Sequence, residues 1–287
     1  MTDKDTLNTI AEAAGKGPIG IFDSGYGGLT ILRQIRQELP QYDYLYLGDN
    51  ARAPYGSHSF EVIYRYTLEA VEALFSRGCP LVILACNTAS AKALRTIQEN
   101  DLARLDPTRR VLGVILPTVE AVCDLTQTRH VGVMATTGTI NSGSYELEIH
   151  KIAPDIKVTG QECPMWVPLV ENHEFDSPGA DYFVKKRIEG ILRRDPEIDT
   201  LILGCTHYPL LMNKILKYTP PGVRLMPQGE YVATSLDCYL KRHPEMETRL
   251  GQGGNCRYLT TENIEKFTES AAFFLHDHQL DVEQIKL

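Results

Sequence analysis

The strongest constraint on the fold is a repeating order: short β-branched or apolar runs alternate with segments of helical periodicity from Gly17 almost to the C-terminus. Such alternation specifies parallel strands joined by helices, because a chain must cross back over the sheet before its next strand can run parallel to the last. The strand-like runs are 19–22, 44–47, 81–85, 111–115, 131–134, 200–203 and 223–226. Between them Ile63, Thr67, Ala70, Val71 and Leu74 recur at helical spacing, as do Ile264, Phe267, Ala271 and Phe274. The expected fold class is α/β, and 287 residues suffice for two modest cores.

Three landmarks then recur in the same order. The strand at Gly20 returns at Gly132, an offset of 112. Leu81-Val82-Ile83-Leu84-Ala85-Cys86 returns as Thr200-Leu201-Ile202-Leu203-Gly204-Cys205, an offset of 119, and a strand expected to end at Pro117 returns at Pro227, an offset of 110. The chain reads as two related lobes, with chance likeness between buried strands as the alternative. Lobes facing each other across a cleft carry equivalent strand ends to opposite walls, where ligands of open α/β sheets bind. Cys86 and Cys205 both fall at such ends.

Charge narrows the partners. Lysine and arginine number 29 against 37 acidic residues, a formal charge of -8, and no basic cluster forms a phosphate-neutralising stripe. Nucleic acid is not an expected partner. A negative field also repels anions, so a carboxylate substrate must be held locally by amides, hydroxyls and helix N-termini. Residues 1–16 read as an extension without the basic start and apolar segment of a signal peptide, and no later run reaches membrane-spanning length. Seven cysteines, an odd count, fit reduced thiols in a cytoplasm better than a disulfide framework.

Cys79, Cys123, Cys163, Cys238 and Cys256 read as small buried hydrophobes. Cys86 and Cys205 do not, because each has polar neighbours where a core position wants apolar ones. Cys86 precedes Asn87-Thr88-Ala89-Ser90, a helix start rich in hydrogen-bonding groups; Cys205 precedes Thr206-His207-Tyr208-Pro209, where an imidazole can exchange a proton with the thiol. Two thiols facing one carbon suit stereoinversion: one removes a proton while the other returns one to the opposite face. A thiol moved from its ordinary ~8.5 toward neutrality serves as either partner. No cofactor is then required. Gly25-Tyr26-Gly27-Gly28 is too irregular for a dinucleotide fingerprint, and no Walker loop or Schiff-base lysine motif is present.

Several segments together are more specific than any one motif. Gly20-Ile21-Phe22-Asp23-Ser24-Gly25-Tyr26-Gly27-Gly28-Leu29, Gly48-Asp49 with Pro54-Tyr55-Gly56, Ala85-Cys86-Asn87-Thr88-Ala89-Ser90, Pro168-Leu169-Val170-Glu171 and Leu203-Gly204-Cys205-Thr206-His207-Tyr208-Pro209 resemble the glutamate racemases of bacterial cell-wall synthesis, over about residues 17–275. The resemblance implies Cys86 and Cys205 as proton donors and acceptors, with Asp23 beside the first, His207 beside the second and Glu171 nearby. It also implies that Asp23, Ser24, Tyr55, Gly56, Asn87, Thr88, Thr206 and His207 hold the substrate, L- or D-glutamate, with no metal. Two flavodoxin-like lobes with parallel sheets are implied, the active site in the cleft between them. The first spans 17–115 and is completed by a C-terminal return, 228–287; the second spans 116–227. A cytoplasmic homodimer that does not engage membranes is the expected form.

Plainer readings stand beside these. Asp23 could be a helix cap or turn residue, His207 a structural histidine and Glu171 a solvated acid. An aspartate or hydantoin racemase would share the two-cysteine layout, and a zinc- or ligand-binding protein could use Cys86, Cys205 and His207 without turnover. The chain also departs from the family pattern: Pro117 is followed by Thr118-Val119-Glu120 where many relatives have a Gly-Ala step, and the later strand ends in Met226-Pro227-Gln228-Gly229, where an acidic residue next to proline or glycine is frequent in relatives.

Overall fold

In the computed structural model, residues 15–275 and 279–287 are described; of the expected extension 1–16 only Gly15 and Lys16 fall among them. In chain order the principal elements are β1 (Ile19–Asp23), α1 (Leu29–Glu38), β2 (Tyr44–Gly48), α2 (Phe60–Ser76), β3 (Leu81–Leu84), α3 (Asn87–Lys92), β4 (Arg110–Gly113), α4 (Ile115–Leu125), β5 (His130–Ala135) and α5 (Ser144–Ile152). There follow β6 (Lys157–Glu162), α6 (Trp166–Glu171), α7 (Pro178–Arg194), β7 (Thr200–Gly204), β8 (Arg224–Pro227), α8 (Gly229–Arg242), β9 (Cys256–Thr260), α9 (Ile264–Leu275) and β10 (Val282–Gln284).

The strands form two sheets, β10-β9-β2-β1-β3-β4 and β6-β5-β7-β8, with every pairing parallel. Counting strands within each sheet, both place the second, first, third and fourth side by side. The repeat seen in the sequence is thus a repeat of topology. β1, β2, β3 and β7 are buried along their whole length, as strands covered on both faces must be, which is why they read as unbroken apolar runs.

Helices follow the same logic. Ser59 caps α2, and Ile63, Thr67, Ala70, Val71 and Leu74 form its buried stripe. Ser177 caps α7, Pro178 sits at its first turn where no amide donor is needed, and Ala180, Val184, Ile188 and Ile191 face inward. α8 leaves the second sheet and packs on α1 of the first; a Cβ on Gly229 would lie 2.6 Å from Gln34 Cγ, so glycine is required by that approach. β9 then pairs with β2, and β10 with β9, in the first sheet.

Two expectations change. The run 111–115 is strand only to Gly113, and Pro117, expected at a strand end, lies in the first turn of α4, where its missing N–H costs nothing. Strands β6, β9 and β10 were not among the expected runs, because Lys157–Glu162 and Val282–Gln284 are polar edge strands and Cys256–Thr260 mixes charge with apolar residues. Among the described residues no helix is long and apolar enough to cross a membrane.

Candidate active site between the two sheets

Each thiol stands just past the carboxyl end of the third strand of its sheet. β3 ends at Leu84 and Cys86 caps α3, its Sγ accepting from Ala89 N at 3.4 Å and lying 3.3 Å from Ser24 Oγ. β7 ends at Gly204 and Cys205 follows, Sγ 3.8 Å from His207 Nδ1. The sulfur-bearing residues are only 6% and 7% exposed, and each thiol is near enough for a charge on Cys205 to be felt at Cys86.

The first wall is acidic. β1 delivers Asp23, 1% exposed, whose Oδ2 accepts from Gly25 N at 2.9 Å while Oδ1 has no hydrogen-bond partner. Burial raises the Asp23 carboxyl above the ordinary range, with His207 and the Gly28 and Gly25 amides opposing. Asp23 is therefore a turn residue that also keeps one oxygen uncommitted. Burial, reinforced by Asp23, pushes the Cys86 thiol up to about 12. This reverses the expectation of a thiol moved toward neutrality: the free site desolvates the sulfur and offers it an anionic neighbour, so Cys86 stands as an un-ionised acid.

The second wall is cationic. His207 Nε2 lies 3.0 Å from Glu171 Oε1, which α6 presents, and the ring is 4% exposed. Burial pulls the imidazole down, but its hydrogen bonds to Cys205 and Glu171 outweigh this and hold it well above its usual value. An imidazolium can donate through both nitrogens at once, to sulfur and to carboxylate. Glu171 therefore reaches the second site through His207. Thr30 Oγ1 shares its one proton between the Gly27 carbonyl at 2.8 Å and the Thr206 carbonyl at 3.0 Å, tying Thr206 to the turn before α1.

The remaining expected site residues border this space in different ways. Ser24 faces Cys86. Thr88 Oγ1 meets Thr136 Oγ1 at 3.0 Å and Thr139 Oγ1 at 3.3 Å across the cleft, and a Cβ on Gly56 would lie 3.0 Å from Thr136 Cβ. The Tyr55 hydroxyl is committed to Asp49 Oδ2 at 2.5 Å, and the Asn87 side chain is committed to Gln228 and Tyr145. Asp49, Thr30, Thr136 and Thr139 were not among the expected site residues. Asp49 did stand in the quoted Gly48-Asp49 step; the three threonines carry no sequence signal, since only the fold brings them to the thiols. Of the cysteines read as buried, Cys79, Cys123 and Cys163 are so, Cys256 is partly exposed, and Cys238 is exposed on α8 because it faces solvent rather than α1.

A cavity of about 540 Å³ opens elsewhere, lined by Ser90, Leu94, Leu116, Leu147 and Tyr239, and contains neither thiol. Among the described residues no group of three His, Cys, Asp or Glu side chains is gathered closely enough to hold a metal.

Two parallel sheets, each with a thiol just past its third strand, are thus set against one another, and the family model for Asp/Glu/hydantoin racemases matches residues 28–229. A glutamate racemase of Ruegeria sp. (strain TM1040) is 42% identical over 267 residues, covering 90% of this chain and 96% of the relative. Among solved structures, a glutamate racemase isoform of Bacillus anthracis superposes with a TM-score of 0.86 at 34% identity, covering 94% of this chain and 98% of that one. The Francisella tularensis glutamate racemase, solved in complex with D-glutamate, gives 0.83 at 32% identity, with 94% and 98% covered. This chain belongs to the glutamate racemase family and is an isomerase acting on an amino acid.

Proposed function

We propose that this protein interconverts L- and D-glutamate by a cofactor-independent two-base reaction, with Cys86 and Cys205 on opposite faces of the α-carbon. The observation that carries the reading is the pair of buried thiols at equivalent strand ends, each with its own polar partner. In the L-to-D direction Cys205, as thiolate, removes the α-proton while the Cys86 thiol protonates the other face; in the reverse direction the roles exchange. Cys86, desolvated and beside Asp23, is held as an acid, while Cys205 has at 3.8 Å the His207 imidazole, whose hydrogen bonds raise it well above its usual value. Substrate ammonium, drawn to the uncommitted Asp23 oxygen, supplies the positive charge that lets Cys86 carry an anion during the return reaction. Ser24, the Tyr55-Gly56 turn, Asn87, Thr88, Thr206 and His207 surround the substrate, and for Tyr55 and Asn87 backbone groups are the available donors.

Residues 17–115 with 228–287, and 116–227, serve as the two lobes, and the chain works as a cytoplasmic homodimer supplying D-glutamate for peptidoglycan. A polarimetric assay in both directions tests the activity: inversion of glutamate and not of aspartate is expected, and preferred turnover of aspartate would replace this reading with its nearest rival. Racemisation should persist after dialysis against EDTA, since the proposed reaction uses no metal. Loss on chelation, restored by zinc, would sink the cofactor-free mechanism.

Glu171 acts through His207. Replacing it with Gln removes a carboxylate that raises the imidazole, so the imidazolium should be lost at lower pH. For Glu171→Gln the alkaline limb of kcat/KM with L-glutamate should move to lower pH, with a loss of about tenfold in the affected range. An unshifted limb would leave Glu171 without a positioning role.

A further inference from the structure

The two departures from the family pattern meet in space. Gln228 Nε2 donates to Thr118 Oγ1 at 2.9 Å and to the Tyr145 hydroxyl at 2.8 Å, while its Oε1 accepts from Asn87 Nδ2 at 2.5 Å. Tyr145 donates to Asn87 Oδ1 at 2.7 Å, and Thr118 donates to the Val114 carbonyl at 2.9 Å. Gln228 is 3% exposed, Thr118 0%, Asn87 3% and Tyr145 4%. With its only proton given to Val114, Thr118 accepts from Gln228, and the Val114 carbonyl 3.3 Å from Nε2 is a further acceptor on the same side, so the amide nitrogen faces these groups and the oxygen turns to Asn87. That in turn fixes Asn87, whose oxygen must face Tyr145. An ionised acid at 228 could not donate to Thr118, and glycine at 118 would leave the Gln228 amide without that acceptor. The two departures are directly bonded to each other in this chain.

We infer that Gln228 is a positioning residue for Cys86: it touches no reacting atom, but it locks Asn87, the residue after Cys86 and the first of α3, and so sets where the thiol stands. The inference rests on Cys86 being one of the two bases. It predicts a lopsided defect, because Gln228 bonds directly to Asn87 beside Cys86, whereas Cys205, just past the end of β7, has His207 as its own partner and is reached from Gln228 only through the Tyr145 ring packed on Gly204.

The test uses a glutamate analogue with chloride at the β-carbon, which loses the α-proton and then chloride without needing a proton from the opposite face. The hand of analogue that Cys86→Ser fails to process defines the Cys86 side. In Gln228→Met, of similar shape but unable to donate or accept as an amide, turnover of that hand should fall about tenfold in kcat while the other hand stays within about twofold. Thr118→Val, which removes the acceptor and keeps the side-chain shape, should give a smaller loss on the same hand. Retained turnover of the other hand reports an intact fold. Equal losses on both hands, or none in either variant, would overturn the positioning role. Should Cys86→Ser itself racemise normally, the two-thiol reading fails instead, whatever Gln228 does.

Discussion

Cys86→Ser and Cys205→Ser are each expected to lower glutamate racemisation by about 10³-fold or more, since inversion needs an acid and a base present together and a positioned proton-transfer group contributes roughly 10²–10⁴. A serine hydroxyl fits either position but cannot supply the anion. The two variants should nevertheless fail differently. Each surviving thiol reaches only the α-hydrogen that points at it, so each variant should eliminate chloride from one hand of a β-chloro analogue, and the hands should be opposite. The family resemblance implies that Cys86 is the residue expected to serve the D hand and Cys205 the L hand. The environments of the two sulfurs give this asymmetry a chemical basis: one lies against Ser24 and a buried carboxyl, the other against an imidazole clamped by Glu171. Stopped-flow detection of chloride release from each hand would decide. Were both variants to keep the same hand, or either to retain full inversion, the assignment of these two residues to opposite faces would be wrong.

Gly27→Ala should cost about 10²-fold in kcat while leaving the protein folded. A Cβ at Gly27 would overlap Thr206 Oγ1 and the His207 ring, with His207 Cε1 only 2.7 Å away. Neither neighbour can retreat easily: the Thr206 carbonyl is held by Thr30, and His207 is fixed at one nitrogen by Glu171 and approached at the other by Cys205. The added methyl must therefore displace the second catalytic wall by a fraction of an ångström to an ångström, a scale at which rates drop by about that factor. Gly27 lies on the first lobe and Thr206 on the second, so the effect reads how tightly the lobes abut at the thiols. Circular dichroism at wild-type intensity alongside wild-type kcat would show that the interface yields more readily than these contacts allow.

Much of the architecture was legible because parallel strands buried on both faces write themselves as apolar runs; Leu81–Leu84 and Thr200–Gly204 are such runs, and each leads directly to its cysteine. Segments with mixed demands were not legible. Lys157–Glu162 has one neighbour and is polar, Cys256–Thr260 begins with a half-exposed cysteine and an exposed arginine, and Pro117 looked like a strand end because nothing local announces that Gly113 closes the ladder. At the site, the residues adjacent to the cysteines were readable from their chemistry and from the resemblance. The ionisation of Cys86 was not, since it depends on how completely the lobes exclude water. Gln228 and Thr118 were visible only as unexplained departures; their pairing spans 110 positions and exists only once the chain has folded.

The burial of both sulfurs has a temporal consequence. On the proposed mechanism, a hydrogen lifted from L-glutamate stays on Cys205 when the D isomer leaves, and the enzyme emerges in the protonation pattern suited to the reverse conversion. With both cysteines more than nine-tenths buried, erasing that pattern requires proton exchange at sulfurs that water reaches only sparingly. On that mechanism each molecule carries a one-bit record of the hand it last processed, and under heavy flux the speed of forgetting is expected to compete with the breaking of the carbon–hydrogen bond in limiting turnover.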